Sequence, residues 1–385
     1  MHYLDHNASA PLDPVAQAAM IATLPELSGN PASVHGRGQA LRARIDEARR
    51  QVARGLGCSP AEIIFTSGAS EANSLAISGT FGLPETRRRF VTSVLEHASV
   101  LRLAQQWSQA GVELLSVAAK NSGITDISQF AAALPQAGLC SLQLVNSELG
   151  TIQPVAQVAA LARSHGVRMH SDLTQALGKI AFSLAEFDLD LASVSGHKIG
   201  GPAGVGALYV RRGVALQPLQ PGFQEMGLRA GTENILGIVA FGAVMAALSD
   251  RLAAVPRVRQ IRDQLWHFLQ TIPDVHRHAL VAAEDETGNT LSVAVAGVPS
   301  ATLVMALDLD GFCISAGSAC SSGSLQVSAA IASLRPDDAR HQALAQQTVR
   351  ISLGPETTAT DISALTAVLP RIIQRIRDIG PLSVP

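Results

Sequence analysis

Over the first two thirds of the chain, short apolar runs alternate with longer stretches whose hydrophobic residues recur at helical spacing. Residues 62–66, 90–92, 112–117, 139–145, 167–171, 189–194 and 205–210 read as strands, and 34–56, 70–78, 97–110 and 155–165 as helices. Asp13-Pro14 marks the start of a short helix ahead of them. Repeated strand-helix units predict a mostly parallel sheet covered by helices, and ligands of such sheets gather beyond the carboxyl ends of the strands. Next come a helix at 233–252 and another at 256–272, the second with its proline in the first turn. A further region begins near Asp274, with strands at 290–295 and 348–353 and helices at 301–307 and 361–379.

Composition narrows the functional classes. A chain of 385 residues that is 47% hydrophobic can bury a large core and predicts two domains. With 29 basic and 31 acidic residues and a net charge of -2, it carries neither a nucleic-acid surface nor a polybasic membrane anchor, which leaves small-molecule chemistry. The N-terminal residues lack a secretory pattern, and the apolar run at 235–248 is too short to span a bilayer; a cytoplasmic protein is expected. The four cysteines, Cys58, Cys140, Cys313 and Cys320, show neither a CxxC pair nor a zinc or disulfide spacing, which fits a reducing compartment.

The candidate chemistry lies where apolar runs end. Ser195-Gly196-His197-Lys198 follows one such run, so Lys198 sits where desolvation favours a nucleophilic amine of the Schiff-base kind; the alternative is a surface lysine in a turn. Asp172 ends another run, and an acid and a lysine at two strand ends are the pair that pyridoxal phosphate requires. Ser67-Gly68-Ala69-Ser70-Glu71 opens a helix and reads as either a phosphate seat or an ordinary cap. Asn146 and Gln175 are strand-end or turn amides, and His97 follows a strand-like run; each has an ordinary structural reading when taken alone.

Taken in order, these residues resemble the cysteine desulfurases of the NifS and IscS type, pyridoxal-phosphate enzymes within the class-V aminotransferase superfamily. The resemblance runs through Tyr3-Leu4-Asp5, Asn30-Pro31, the segment from Phe65 to Glu71, Glu96-His97, Asn146 with Glu148-Leu149-Gly150, and His170-Ser171-Asp172 with Gln175. It continues through Ser195 to Lys198, Arg229-Ala230-Gly231-Thr232-Glu233-Asn234, Gly317-Ser318-Ala319-Cys320-Ser321-Ser322-Gly323-Ser324 and Val349-Arg350-Ile351-Ser352. It implies an α/β fold of fold type I: a large domain at 15–255, and a smaller α+β domain from 1–14 and 256–385 that carries a mobile cysteine loop at 316–326. It also implies a homodimer. Lys198 would hold the cofactor, Asp172 its ring nitrogen, His97 its ring face and protons, and Gln175 its phenolic oxygen. Ala69, Ser70, Ser195 and His197 would hold the phosphate, with Thr232 reaching in from the other subunit. Asn146 and Arg350 would take the substrate carboxylate, the arginine through a two-pronged contact.

Cys320 selects the reaction. Its small, polar neighbours suggest an exposed loop and a reactive thiol, whereas Cys58, Cys140 and Cys313 sit in surroundings typical of structural cysteines. The resemblance implies that Cys320 takes sulfur from L-cysteine as a persulfide and leaves alanine. The persulfide would pass to an iron-sulfur scaffold or another sulfur acceptor, with Cys320 as a transient ligand of the iron-sulfur unit. Alternatives are a selenocysteine or cystine lyase on the same scaffold, a non-catalytic scaffold, and a Schiff-base aldolase. The sequence departs from the family pattern at His6, Gln39, Ser70, Pro355 and Gln326-Val327, and along Pro221-Gly222-Phe223-Gln224-Glu225-Met226-Gly227, where stiffer residues replace flexible glycines.

Overall fold

The computed structural model describes residues 1–317 and 327–379; Cys320 lies outside them. Seven strands form the main sheet: β1 (Ile63–Thr66), β2 (Arg89–Ser93), β3 (Glu113–Val117), β4 (Leu139–Ser141), β5 (Arg168–Asp172), β6 (Leu191–Ser195) and β7 (Gly206–Val210). Their order is β1-β7-β6-β5-β4-β2-β3. β3, β2, β4, β5 and β6 pair in parallel, and β7 runs antiparallel to both β6 and β1. This is the α/β, mostly parallel, helix-covered sheet that the alternating pattern predicts.

Two elements differ from expectation, each for a local reason. The strand expected to reach residue 145 stops at Ser141. Just beyond it, the Gln143 N–H goes to a side chain, Glu96 Oε1 at 2.7 Å, instead of to β2, so the pairing on that side ends, while Leu142 N and Leu144 N still donate to His170 O and Asp172 O of β5. In the second case the chain breaks at Ala247 between α6 (Ile235–Ala246) and α7 (Leu248–Leu269), and Pro256 lies inside α7 rather than in its first turn. Asp250 stands in the first turn of α7, where an acid suits the helix N-terminus.

The remaining helices that matter are α1 (Pro14–Thr23), α2 (Gly36–Leu56), α3 (Ala69–Phe81), α4 (Ala98–Gln109), α5 (Val155–Ser164), α8 (Ser300–Leu309) and α9 (Ala359–Ile379). α6 is apolar nearly all round and is buried accordingly, against α1 and α2. No single helix among the described residues is long and apolar enough to cross a membrane.

Separate cores form on the two sides of the site. One joins the main sheet to α2, α5 and α6; the other joins α7, α8 and α9 to an antiparallel sheet of β8 (Val275–Arg277), β9 (Thr290–Val295), β10 (Ser315–Ala316) and β11 (Thr348–Ser352). The N-terminus belongs with the second core: His2 and Tyr3 pair in parallel with Phe312 and Cys313, and Leu4 is buried there. From that anchor, residues 5–8 run across to the carboxyl ends of the main-sheet strands.

Candidate active site

Register brings the strand ends together. Asp172 stands beside Ser193, and Ser195 and Thr66 both stand beside Gly206, so the carboxyl ends of β1, β5 and β6 share one edge. A cavity of about 360 Å³ opens there. Of the residues singled out from sequence, Ala69, Ser70, His97, Asp172, Gln175, Ser195, His197, Lys198 and Arg350 line it. Thr232 is exposed and is not among the lining residues; neither is Asn146.

Lys198 ends a single 3-10 turn after β6, and its Nζ donates to the carbonyls of Asn7 at 2.8 Å and Ala8 at 2.7 Å. Asp172 is fixed at both oxygens: Oδ1 accepts from Thr174 N at 2.9 Å, and Oδ2 from Asn73 Nδ2 at 2.9 Å. Asn73 Nδ2 also donates to Ser99 Oγ at 2.9 Å, and that hydroxyl lies 2.8 Å from His97 Nδ1. The Ser99 N–H donates to the same Nδ1, which places the ring proton of a neutral His97 on Nε2. Asp172 and His97 are therefore oriented as one network through Asn73 and Ser99. Sequence reasoning passed over both; the signal was a polar Asn73 among the buried residues Ala72, Leu75, Ala76 and Ile77 of α3.

At the other end of the cavity, α3 begins at Ala69 with no side-chain cap. The turn before it depends on two glycines. Gly68 has φ +154°, and a Cβ on Gly206 would meet Gly68 Cα at 2.7 Å, so the strand and the turn can approach only without that side chain. Glu71 is held aside, accepting from Ser67 N at 2.6 Å and from Arg229 Nε at 3.0 Å. The open amides and the helix dipole thus favour an anion. Burial, with the charge of Lys198, pushes His197 down to about 4, so that it is neutral near pH 7.

Arg350 is buried, its Nη2 donating to Asp5 Oδ1 at 2.8 Å and Nη1 to Ser147 O at 3.3 Å, while Nε has no hydrogen-bond partner. Part of its fork is therefore already taken by Asp5, a residue for which the sequence suggested no role. Asn146 spends its amide on the chain, accepting from the N–H groups of Glu148 and Leu149 and donating to Leu95 O at 3.0 Å. The stiffened segment before Arg229 is pinned by Glu225, whose carboxylate takes both Nη groups of Arg49 and the Phe65 N–H. That clamp holds Glu225 and Met226 at φ +46° and +58°, a strained conformation that needs such support, and leaves Phe223 fully exposed.

Two buried acids behind the site have raised proton affinities. Burial, then Asp172, pushes Glu96 up to about 8, and burial pushes Glu148 up to about 7. A raised carboxyl binds its proton in the folded state after the unfolded chain has lost it. Its contribution is present in full below the ordinary glutamate range and is lost as pH rises from about 4.5 to 8, by up to ~1.4 kcal/mol per unit for Glu96. Buried His6, His170, His197 and His278, each lowered to about 4, act the other way: their contribution is lost as pH falls from about 6.5 to 4. Glu96→Gln separates the two effects. Its stability relative to the parent, from urea unfolding at a series of pH values, is expected to increase between pH 5 and 8; a pH-independent difference would show Glu96 to be ionised in the fold.

Comparison with known proteins gives a consistent picture. A family model described as Aminotransferase class-V matches residues 2–365. A cysteine desulfurase of Cereibacter sphaeroides is 41% identical, over 98% of this chain and 97% of that protein. Among solved structures, a NifS-like protein superposes with TM-score 0.87 at 31% identity over 98% of each chain. The structure of SspA in complex with cysteine has TM-score 0.80 at 29% identity, covering 93% of this chain and 100% of that one.

Proposed function

This chain belongs to the class-V aminotransferase family, and from that premise we propose that it is a cysteine desulfurase: a cytoplasmic, homodimeric, pyridoxal-phosphate enzyme that moves the sulfur of L-cysteine to Cys320. The observation that carries this reading is the convergence of Lys198 and Asp172 on one cavity whose far end is an uncapped helix N-terminus. The residues present fit the cofactor. The amides at Ala69 and Ser70 and the Ser195 hydroxyl suit a phosphate, Asp172 suits a protonated ring nitrogen, and Thr174 Oγ1 is a buried hydroxyl with no partner on the cavity wall. When bound, pyridoxal phosphate supplies an aldehyde for amines and a ring that takes up the electrons of a bond broken at the amino acid.

Each residue then has a task. Lys198 Nζ would hold the aldehyde of the cofactor, and as a free amine it would accept the α-proton of the substrate. Asp172, steadied by Asn73 and Thr174, keeps the proton on the ring nitrogen. His97 offers its Nε2–H to the face of the site, and Gln175 its N–H to the phenolic oxygen. Arg350 takes the substrate carboxylate with Nε and the donors that Asp5 and Ser147 leave open. Thr232, exposed here, would serve the partner subunit's phosphate. The Cys320 thiolate attacks the substrate sulfur, forming an S–S bond as the C–S bond breaks, and the persulfide passes to an iron-sulfur scaffold or another acceptor thiol. The two cores support a large domain at 15–255 and a small one from 1–14 and 256–385.

The test is direct. Incubation of the cofactor-loaded protein with L-cysteine is expected to yield alanine and, by intact mass and peptide mapping, one added sulfur on Cys320 that a thiol reductant removes. Alanine without the adduct would indicate a lyase that releases free sulfide; neither product would overturn the assignment.

A further inference from the structure

Beyond β5 the chain makes a turn tied by bonds from Leu177 N to Leu173 O and from Ile180 N to Ala176 O. This helix-like winding puts Gln175 and Lys179, four residues apart, on the same side. Lys179 Nζ donates to Gln175 Oε1 and, at 2.7 Å, to Asn7 Oδ1. Gln175 Nε2 donates at 2.9 Å to the Asn7 carbonyl, the same oxygen that Lys198 Nζ meets at 2.8 Å. Asn7 is itself braced, its Nδ2 donating to Ser147 O and Thr290 Oγ1, each at 2.9 Å.

A glutamine amide can present either its oxygen or its nitrogen, and it is the partner on one side that decides which end faces the other. A lysine amine is a donor, so Lys179 claims the Gln175 oxygen; one Gln175 N–H then goes to the Asn7 carbonyl and the other is left for the cavity. Both acceptors of Lys179 are neutral amide oxygens. Burial, followed by the charges of Lys198, Arg350 and Arg251, pushes its proton affinity well down. Other charged or titratable groups around this turn are His6, packed on Gly354, the acids Asp13 and Glu356, which lie on Arg251, and Glu186, Arg259, Glu284 and Glu286, which line a second cavity that Lys179 borders.

We propose that Lys179 is a positioning residue of the site: from behind, it fixes the Gln175 amide and the Asn7 side chain, so that Gln175 presents N–H to the cofactor's phenolic oxygen and Asn7 keeps its carbonyl on Lys198. This rests on the pyridoxal-phosphate reading above. A donor at the phenolic oxygen stabilises negative charge there and lowers the proton affinity of the nitrogen that joins Lys198 to the cofactor. Loss of Lys179 therefore raises that affinity.

The experiment is a pH titration of the visible absorbance of the cofactor-loaded protein. In Lys179→Met, similar in length but without a donor, the midpoint is expected to rise by about one unit, a roughly tenfold gain in proton affinity. Lys179→Arg, which restores the donor, should return it toward the parent value. A Met variant that folds, binds the cofactor and titrates like the parent overturns the proposal, because a lysine that merely fills space would leave the midpoint in place. If Lys179→Met does not fold, Lys179→Leu, which also lacks a donor, is read in the same way, with the same two outcomes. A parent protein that gains no visible absorbance with pyridoxal phosphate and no borohydride-stable link at Lys198 would instead sink the underlying cofactor reading.

Discussion

Replacing Lys198 with alanine is expected to lower alanine formation from L-cysteine by at least about 10⁴-fold while the protein stays folded. The size of the loss follows from two roles residing in one amine. Removing a positioned proton acceptor alone costs about 10²–10⁴ in rate, and here the covalent hold on the cofactor is lost with it. The modest effect on stability follows from what Nζ touches. Its bonds to the Asn7 and Ala8 carbonyls are worth about 1 kcal/mol each, against a total stability of roughly 5–15 kcal/mol, and water can take their place beside an open cavity. Borohydride reduction followed by peptide mapping supplies the second readout: the adduct present in the parent should vanish from the variant. Retained turnover, or an adduct on another lysine, would show that Lys198 is not the attachment point. Lys179 is the informative control, because it lies near enough to act on Lys198 yet donates both its contacts to neighbouring amides.

What the sequence disclosed about this site, and what it withheld, follows from how each residue is placed. Lys198, Asp172 and Ser195 are legible because an apolar run ends at each of them, and the end of a buried strand in a parallel sheet is where ligands bind. The strands themselves are legible for the same reason, down to the antiparallel β7, whose pairing depends on Gly206 admitting the Gly68 turn. Residues that act through a tertiary neighbour are not. Asp5 reaches Arg350 across 345 positions of sequence, and nothing along the chain says that they meet. Asn73 looks like one polar residue in a helix until the fold sets it between Asp172 and Ser99. The shortened β4 was equally hidden, because its pairing with β2 is cut short by a carboxyl group that arrives from beyond the end of β2, while its bonds to β5 run on. Asn146 shows the converse: a strand-end amide that looked available for substrate has most of its bonds committed to the turn that follows it.

Cys320→Ser is expected to abolish persulfide formation and to cut alanine release by at least about a hundredfold, since a hydroxyl cannot replace a thiolate as a sulfur nucleophile. The cofactor's absorbance and its link to Lys198 should be unchanged, which separates loss of sulfur transfer from loss of the site. The other cysteines give this prediction its sharpness. Cys58 is pushed up to about 12, by burial and then by Glu62, and Cys140, fully buried beside Glu96, is raised as well. Neither holds useful thiolate near pH 7. Cys313 has a free, half-buried thiol and lies in the strand that pairs with Tyr3, away from residue 320 in sequence. Cys58→Ser, Cys140→Ser and Cys313→Ser are therefore expected to carry the added sulfur on Cys320 as the parent does. Sulfur mapped to Cys313 in the Cys320→Ser protein, or an undiminished rate of alanine release, would move the nucleophile away from Cys320 and leave the site a lyase that frees sulfide into solution. If both predictions hold, the division of labour is clear: Lys198, held by the N-terminal segment at the end of β6, activates the amino acid, and the thiol supplied by residue 320 determines where its sulfur goes.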